Sequence, residues 1–539
     1  MIRLMTNRAF KAGVSRDQPS LLPPSVEDYV GPDNPVRAIE AYVAALDLSK
    51  LGFGHAGSVG GSAGQPPYDP ADLLKLYLYG YINRVRSSRR LAQEAQRNLE
   101  VIWLLEGLTP GYRTIANFRK DNWAALKAAN ANFVLLAREL GLVGGTLVAI
   151  DGAFFDGSAS KASIRTQKRL AAELAAVERD IEAYGAALEA ADASPPADDH
   201  GGGGSGDVGR KMADLMAKRV DLKADLDRLE ESGETQVSRT DPDARLLTKR
   251  GQKTAGYNVQ IAVDDAHKLI VASEVVNDGN DTGQLHAMAQ AARQALASET
   301  LSVLADGGYY NGVTLKLCEE DGIVAYVPAS ERTGRLEARG CFTHKQFVYD
   351  ITANIYRCPA GEELLPIKTL KENAGRLEVR YMSRKRVCDA CQLRQRCITT
   401  KSGTRTITRW VHEDVLDRHR TRMRDAGPVM RRRATLAEHP FGTLKCRAGY
   451  RHFLLRGFAK VRGEWSLMAL GYNFTRVLNV LGLEGFMVRL AAWVACLSLF
   501  GTRDAVQAPL RAAARLLSRF AAEIAPTAAR PPQSRARAA

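Results

Sequence analysis

Apolar residues recur at intervals of three and four positions through much of residues 1–135. The segments "NPVRAIEAYVAALDL" and "DPADLLKLYLYGYINRVRSSRRLAQEAQRNLEVIWLLEG" both have this spacing, which is typical of helices. Asp69 and Pro70 are suited to be the N-cap and the first residue of one such helix. A group of basic side chains lies between two predicted helices, at Arg84, Arg86, Arg89 and Arg90. We therefore predict a helical domain that binds DNA or supports assembly, although a solvated basic face gives the same pattern.

From residue 145 the pattern changes to short apolar runs that indicate strands. The run "GTLVAIDGAFFDGS" predicts a buried strand that ends at Asp151 and Gly152, and "LSVLADGGYYNG" predicts another that ends at Asp306. The runs "GYNVQIAVD" and "KLIVASEVV" flank a polar turn and predict a hairpin. Helical spacing follows at 281–298 and 311–320, before the strand "IVAYVPA". This order predicts an α/β domain at 145–330, with helices packed on a mixed sheet.

A heptad-like pattern interrupts this domain at residues 167–232. Its two halves are separated by the flexible linker sequence "ADASPPADDHGGGGSGD". The recurring positions are Leu170, Leu174, Val177, Ile181, Tyr184 and Leu188, then Leu215, Arg219, Leu222, Leu226 and Leu229. The pattern predicts an antiparallel helical hairpin inserted into the sheet domain. Its role is that of a structural arm or of a brace for protein or DNA.

Asp151 and Asp306 are candidate site residues because each follows a buried apolar run and precedes a glycine. A carboxylate at the carboxyl end of a strand faces the crevice in which α/β proteins bind ligands, and its burial is unfavourable unless a cation or water compensates for it. If the two strands are neighbours, the carboxylates converge. Such a pair suits Mg²⁺, and a third carboxylate allows two ions ~4 Å apart to hold a phosphoryl group during transfer.

Glu438 is the candidate for the third carboxylate, within "RRRATLAEHPFGTLK". Pro428 is suited to begin a helix and Pro440 to end it, so this helix could carry Glu438 towards the strand ends. A single glutamate among arginines is more often a solvated salt-bridge partner. Both interpretations remain open from the residues alone.

Four cysteines are clustered in the segment between Asp306 and Glu438. They are Cys358 in "YRCPAG" and Cys388, Cys391 and Cys397 in "VCDACQLRQRC". Four thiols that include a Cys-x2-Cys pair match the ligand count of a closed tetrahedral zinc site. We predict a zinc-ribbon-like insertion at 335–410, with free structural cysteines as the alternative.

The 539-residue chain carries 75 Lys and Arg against 60 Asp and Glu, a formal charge of +15. This excess favours a polyanionic partner. Residues 376–433 contain 17 of the basic residues and 6 of the acidic ones, so much of the excess lies close to Glu438 in sequence. The N-terminus lacks a secretory apolar region, the apolar run 487–500 contains Arg489, and eight cysteines are too few for a disulfide scaffold. We expect a cytoplasmic protein without a membrane partner.

Several of these motifs occur in the order found in DDE-type transposases of bacterial insertion sequences. The "AIDG" strand, "GYNVQIAVD" hairpin, "LADGGYYNG" strand and "AEHPFGTLK" helix resemble that group, and more narrowly the insertion-sequence 1182 family. "NPVRAIEAYVAALDLSKLGF", "TIANFRKDN", "TDPDARLL" and "FLLRGFAKVRGEWSLMALGYNFTRVL" extend the similarity over residues 20–480. The resemblance implies an RNase H-like core at 145–330 that is completed at 411–482 and followed by a helical Ala/Arg-rich tail at 483–539.

The resemblance also implies roles for individual residues. Asp151, Asp306 and Glu438 would be the catalytic triad that binds two Mg²⁺ ions, for which Mn²⁺ can substitute. Lys445 matches a basic residue that contacts DNA. The arginine expected upstream of the glutamate falls on Ala434, which leaves the DNA-binding alternatives Arg431 and Arg433.

The implied function is transposition. Hydrolysis at each terminal inverted repeat would free a 3′-hydroxyl, which would then attack target DNA in a synaptic complex of two copies of the chain, in the bacterial nucleoid. A nuclease of the same fold without strand transfer is one alternative. A transposase-derived DNA-binding protein without activity is another, although the complete triad argues against it.

Overall fold

The computed structural model describes residues 25–56, 66–192, 205–249, 251–329, 337–373, 376–398 and 403–500. The described chain combines helices with β-sheets and divides into two compact units. One takes the described residues of Met1–Lys50, His55–Phe118 and Leu481–Ala539, and the other those of Leu51–Gly54 and Arg119–Val480. The N-terminal 24 residues, most of the linker between the heptad segments and the tail from 501 onwards lie outside the described residues.

The helices agree with the predicted apolar spacing in the N-terminal region. Asp69 caps the second helix by accepting a hydrogen bond from the backbone N–H of Ala71 at 2.8 Å, and Pro70 is its first residue. Tyr77 of this helix is fully buried and donates its hydroxyl to the carbonyl of Ile115 at 2.7 Å. The first helices are α1 (Val36–Ala44), α2 (Pro70–Ile82), α3 (Ser88–Arg97), α4 (Leu99–Leu104), α5 (Tyr112–Asp121) and α6 (Trp123–Glu139).

The larger unit contains the mixed sheet predicted from the apolar runs. Its strands are β1 (Leu147–Asp156), β4 (Arg245–Lys249), β5 (Gln252–Asp264), β6 (Ile270–Val276), β7 (Leu301–Leu304) and β8 (Ile323–Tyr326). The order is β4-β5-β1-β7-β8, and β6 also pairs with β5. β1 is antiparallel to β5 and parallel to β7, which is parallel to β8. The predicted hairpin is β5 and β6, which pair antiparallel.

Alternation along β1 and β7 gives this sheet two apolar faces. Val148, Ile150 and Val303 pack on one face with the helices α9 (Leu285–Leu296) and α10 (Gly312–Glu320). Leu147, Ala149 and Leu304 pack on the other face with Leu436 and Ala437. The core therefore extends to both sides of the strands that carry Asp151 and precede Asp306.

The prediction that the first strand ends at Asp151 is wrong, because β1 continues to Asp156. Its second half keeps its pairing with β5, from Gly152 opposite Gln260 to Asp156 opposite Gly256, and Phe155 within it is fully buried. Its parallel pairing with β7, by contrast, ends at Ala149. Asp151 therefore lies where β1 loses one neighbour, and not at the end of the strand.

The segment 167–232 contains two long helices, α7 (Gln167–Asp192) and α8 (Ser205–Ser232). They pack along predicted heptad positions, with Leu170, Val177, Leu222 and Leu229 buried. The short strands β2 (Ile164–Thr166) and β3 (Gln236–Ser238) pair antiparallel at the base of the helices.

A second sheet occupies the cysteine-bearing segment. Its strands are β9 (Val348–Asp350), β10 (Ile355–Arg357), β11 (Glu363–Asn373), β12 (Arg376–Met382) and β13 (Thr406–Trp410), with the short helices α11 (Lys385–Asp389) and α12 (Arg394–Cys397) between the last two. The five strands pair antiparallel in the order β13-β12-β11-β10-β9, which is a larger sheet than that of a small ribbon.

The helix that carries Glu438 begins as predicted, with Pro428 in its first turn, but Pro440 does not end it. The final helices are α13 (Glu413–Arg424), α14 (Gly427–Phe441) and α15 (Phe458–Phe500), which is broken at Gly482. The backbone N–H of Gly442 still bonds to the carbonyls of Glu438 and His439, so only the hydrogen bond that a proline cannot donate is lost. A π-helical turn, Gly442–Arg447, then continues the chain.

Within the described residues, one helical segment, Phe458–Ala495, has the length and apolar character needed to cross a membrane. The core helix of a soluble protein has the same properties. Several side chains in the first half of this segment are fully buried or nearly so, including Trp465, Leu467, Met468 and Leu470.

Candidate active site

The parallel register of β1 and β7 brings Asp151 and Asp306 to the same edge of the sheet. Ala149 pairs with Leu304, and each aspartate lies two residues further along its own chain segment. Asp306 caps a 3₁₀ turn, where its carboxylate accepts the backbone N–H of Gly308 at 2.8 Å. The Asp151 carboxylate accepts the N–H of Gly152 at 2.9 Å. Both carboxylates are therefore held by local backbone hydrogen bonds.

Burial raises the pKa of the Asp151 carboxyl, and the neighbouring Asp306 raises it further, whereas the Gly152 N–H, Arg433 and Lys249 lower it. Two half-buried carboxylates that repel each other are a donor set suited to a hard divalent cation, which would replace that repulsion by attraction. This pair fits the predicted magnesium chemistry.

Glu438 lies on the helix that covers this edge of the sheet. The preceding residues, Leu436 and Ala437, pack against Ala149 and Leu304. The Glu438 side chain is exposed, and within the described residues its carboxylate has no hydrogen bond or ion pair. In this conformation it is not the salt-bridge partner that the arginine-rich context would favour.

Across the described part of the chain, no group of three or more His, Cys, Asp or Glu side chains is arranged to hold a metal ion. The structure thus brings Asp151 and Asp306 together and leaves Glu438 outside that pair. The role of Glu438 as a third ligand stays a prediction.

The two alternative arginines differ in their surroundings. Arg433 is close enough to Asp151 to lower the pKa of its carboxyl, whereas Arg431 is exposed near the beginning of α14. Between them, Arg432 forms an ion pair with Asp265. Of the two alternatives, Arg433 is therefore the one near Asp151, and the DNA-binding role of either arginine stays a prediction.

Lys445 is half-buried against β1 and is not a freely exposed cation. Its ammonium donates to the Phe154 carbonyl at 2.5 Å and lies 4.2 Å from the centroid of the Phe155 ring. Burial, assisted by Lys249, lowers the pKa of Lys445 to about 8. It lies beside the second half of β1, close to Asp151 and Asp156, both of which raise its pKa.

Sequence reasoning missed a polar network directly behind Asp151. Asp281 is buried and accepts hydrogen bonds from the side-chain amides of Asn258 at 2.9 Å and Gln260 at 2.7 Å. The side-chain oxygen of Gln260 also accepts a hydrogen bond from the hydroxyl of Tyr309, a residue of the 3₁₀ turn that Asp306 caps. The available signal was in "GYNVQIAVD", where Asn258 and Gln260 place two polar side chains on one face of an otherwise apolar strand.

The four clustered cysteines converge around Cys397. Burial raises the pKa of its thiol, Arg405 lowers it, and Cys388, Cys358 and Cys391 raise it in turn. Cys388 is buried, with its sulfur 2.8 Å from the hydroxyl oxygen of Ser383. The thiols are thus neighbours without forming a closed metal site in this structure, and the zinc site stays a prediction.

Comparison with known proteins identifies two segments of the chain. Residues 357–478 match the family model of a transposase DDE domain, and residues 24–121 match the transposase domain DUF772. The first match contains Glu438, Lys445 and the cysteine cluster, whereas Asp151 and Asp306 precede it. The two matches together leave more than half of the chain uncovered.

One solved structure that aligns with this chain is a cryo-EM structure of the piggyBac transposase synaptic complex with hairpin DNA. It is 8% identical, and the alignment covers 92% of this chain and 83% of that one with a TM-score of 0.29. No curated protein matches the chain.

Proposed function

We propose that this chain, which carries a transposase DDE domain and the transposase domain DUF772, cuts DNA at the ends of an insertion sequence and joins those ends to target DNA. The observation that carries the proposal is the half-buried pair Asp151 and Asp306 at one edge of the mixed sheet. The antiparallel strands β6, β5 and β1, followed by the parallel β7 and β8, support an RNase H-like catalytic core.

Asp151, Asp306 and Glu438 would hold two Mg²⁺ ions, for which Mn²⁺ can substitute, because carboxylate oxygens are the ligands that such cations prefer. Bound there, the ions would polarise the scissile phosphate and activate the attacking group, which is water in the cutting step and the freed 3′-hydroxyl in the joining step. The chain's own contribution is orientation. The N–H groups of Gly152 and Gly308 each occupy one carboxylate acceptor site, and this fixes the direction of the remaining lone pairs.

The cationic residues around the pair would position the DNA backbone. Arg433 and Lys249 are near Asp151, and Lys445 lies beside the second half of β1. Contacts of this kind fix the register of a duplex without reading its sequence. The partners would be the terminal inverted repeats and target DNA, held by a homodimer in the bacterial nucleoid.

The experiment uses the purified full chain with a DNA duplex that carries the inverted repeats flanking its gene. With Mg²⁺, we expect cleavage at the repeat ends and joined products when target DNA is added. Asp151→Asn and Glu438→Gln should each lower cleavage by orders of magnitude, because each removes an anion required by the cations. DNA binding without metal should survive in both variants, since a negative charge facing the phosphates has been removed.

The matched control is Asp425→Asn, which removes an exposed carboxylate just before α14 and should cleave as the parent does. A Glu438→Gln protein with full cleavage would remove Glu438 from the site. Cleavage without joined products would identify a nuclease, and binding without cleavage an inactive DNA-binding protein.

A further inference from the structure

Lys249, the last residue of β4, extends its side chain to the part of β1 next to Asp151. Its ammonium nitrogen is 3.4 Å from the Gly152 carbonyl oxygen and 5.7 Å from the centroid of the Phe154 ring. It is 3.8 Å from a carboxylate oxygen of Asp281, within ion-pair distance. The Lys249 ammonium thus lies between the backbone of β1 next to Asp151 and the buried carboxylate of Asp281.

Asp281 is in turn fixed by β5. Its carboxylate accepts hydrogen bonds from the side-chain amides of Asn258 and Gln260, both of which are fully buried. Gln260 lies directly opposite Gly152 in the pairing of β5 with β1. A Cβ atom at Gly152 would lie 2.3 Å from the Gln260 amide nitrogen and 2.6 Å from Asp281 Oδ1. The network therefore packs against β1 at a position where no side chain larger than that of glycine fits.

The ammonium group of Lys249 remains available to a ligand. A lysine has three N–H donors, of which one is directed to Gly152 and another faces Asp281. The side chain of Lys249 is 46% exposed, whereas that of Asp281 is 10% exposed. The pair consequently presents its positive member to solvent and keeps its negative member inside.

Lys445 offers a contrast on the other side of the same strand segment. Its ammonium donates at 2.5 Å to the Phe154 carbonyl and lies over the Phe155 ring. A phosphate would have to compete with these contacts for Lys445. Lys249 makes longer contacts and could accept an anion without losing a short hydrogen bond.

We propose that Lys249 binds a phosphate oxygen of the DNA strand held at Asp151, and that Asp281 is the positioning residue that directs the Lys249 ammonium there. The inference rests on the proposed function, because that function brings a phosphate to Asp151. A phosphodiester supplies an anionic oxygen acceptor for the remaining N–H donor, and the cation offsets the repulsion between this anion and the carboxylates.

The test measures DNA binding separately from cleavage. A fluorescent random-sequence duplex is titrated without divalent metal at several salt concentrations, and plasmid nicking is measured with Mg²⁺. Lys249→Met should reduce the slope of log affinity against log salt by ~0.9, the value for one phosphate contact, and should lower nicking. Lys249→Arg should restore the slope because it retains the charge and donors.

The control is Lys253→Met. Lys253 pairs with Thr248 in the β4–β5 register, so its side chain lies on the sheet face opposite to that of Lys249. The Lys253→Met substitution removes one positive charge from the β4–β5 hairpin, as Lys249→Met does. A slope change in Lys249→Met that is no larger than that in Lys253→Met would overturn the inference.

Asp281→Asn tests the positioning role. It should reproduce part of the slope change of Lys249→Met, and the double variant should show no further loss, since the two residues then act as one unit. Additive losses would remove Asp281 from the proposal. Thermal unfolding of each variant verifies that it is folded.

A parent protein that neither binds nor nicks DNA would overturn the proposed function and the inference with it. A parent that nicks DNA, with Lys249→Met equal to Lys253→Met, would overturn the inference alone.

Discussion

Lys445 illustrates how burial changes a basic residue that the sequence presents as a DNA contact. In the sequence it is one more cation after an arginine-rich helix. In the structure it is half-buried, and its pKa falls from the ordinary value of 10.5 to about 8. Spacing from Glu438 identified the residue but gave no information about its environment, because that environment comes from β1, almost 300 residues earlier in the chain.

This lowered pKa predicts a pH dependence of stability. Between about pH 8 and pH 10.5 the unfolded chain retains the Lys445 proton that the folded chain has lost. Because the unfolded state then binds more protons, the free energy of unfolding contributed by this residue rises with pH across that window. We expect the parent to gain stability relative to Lys445→Met as pH rises, measured by thermal unfolding without divalent metal. Lys253→Met should show no such divergence, and parallel curves for Lys445→Met would contradict the prediction.

The candidate site was partly predictable at the residue level. Asp151, Asp306 and Glu438 were identified by short motifs, and the structure brings the first two together. Lys249 and Asp281 belong to no such motif. They become neighbours because the end of β4 reaches β1 and the segment between β6 and α9 is held against β5. Which of Arg431 and Arg433 lies near Asp151 also depended on how α14 packs on the sheet.

At the scale of elements, the helical hairpin predicted from its heptads is closed by its own small sheet. Thr166 pairs with Gln236 at the base of the two helices. Apart from Val237 of β3, the apolar cluster of the helices consists of side chains from the helices themselves. The pairing of β2 with β3 therefore holds the two ends of the inserted segment next to each other independently of the helices.

This geometry predicts that deletion of 167–232 is tolerated. Gly233 to Thr235 would remain as a turn between the paired strands, with a short Gly-Ser addition as an alternative connection. We expect a folded protein that retains Mg²⁺-dependent nicking, measured on plasmid DNA, and loses efficiency only in the joining of paired ends. A folded deletion variant that cannot nick DNA would place the hairpin in the active site.

The cysteine-bearing sheet gives a second prediction at this scale. Four thiols around Cys397, beside a β-sheet with a small apolar cluster, should bind about one zinc per chain in protein purified without chelator. Cys388→Ser should lower the metal content and the melting temperature. Cys446→Ser, which changes an exposed cysteine outside the cluster, should leave both unchanged. A parent that contains no zinc and folds fully would favour the alternative of free structural thiols.

At the scale of the whole molecule, the positive net charge favours a polyanionic partner but does not show which cationic side chains are free to bind it. Several arginines of the strongly basic segment 376–433 are engaged within the protein. Arg409 contacts Asp417 at 3.0 Å, Arg420 contacts Glu413 at 2.6 Å, and Arg376 lies 4.6 Å from the Trp410 ring centroid. The formal surplus therefore overstates the cationic groups that are free for DNA.

The sequence by itself determined the helical spacing, the strands of the mixed sheet, the two helices of the insertion and the candidates Asp151, Asp306 and Glu438, because these depend on local periodicity and short motifs. Tertiary structure decided the rest. β1 passes beyond Asp151 because β5 continues to pair with it, and α14 passes through Pro440 because the next backbone N–H groups still find acceptors. The Asp281 network and the lowered pKa of Lys445 exist only where distant segments exclude water. Burial and strand pairing are set by residues far apart in the chain, so no local pattern records them.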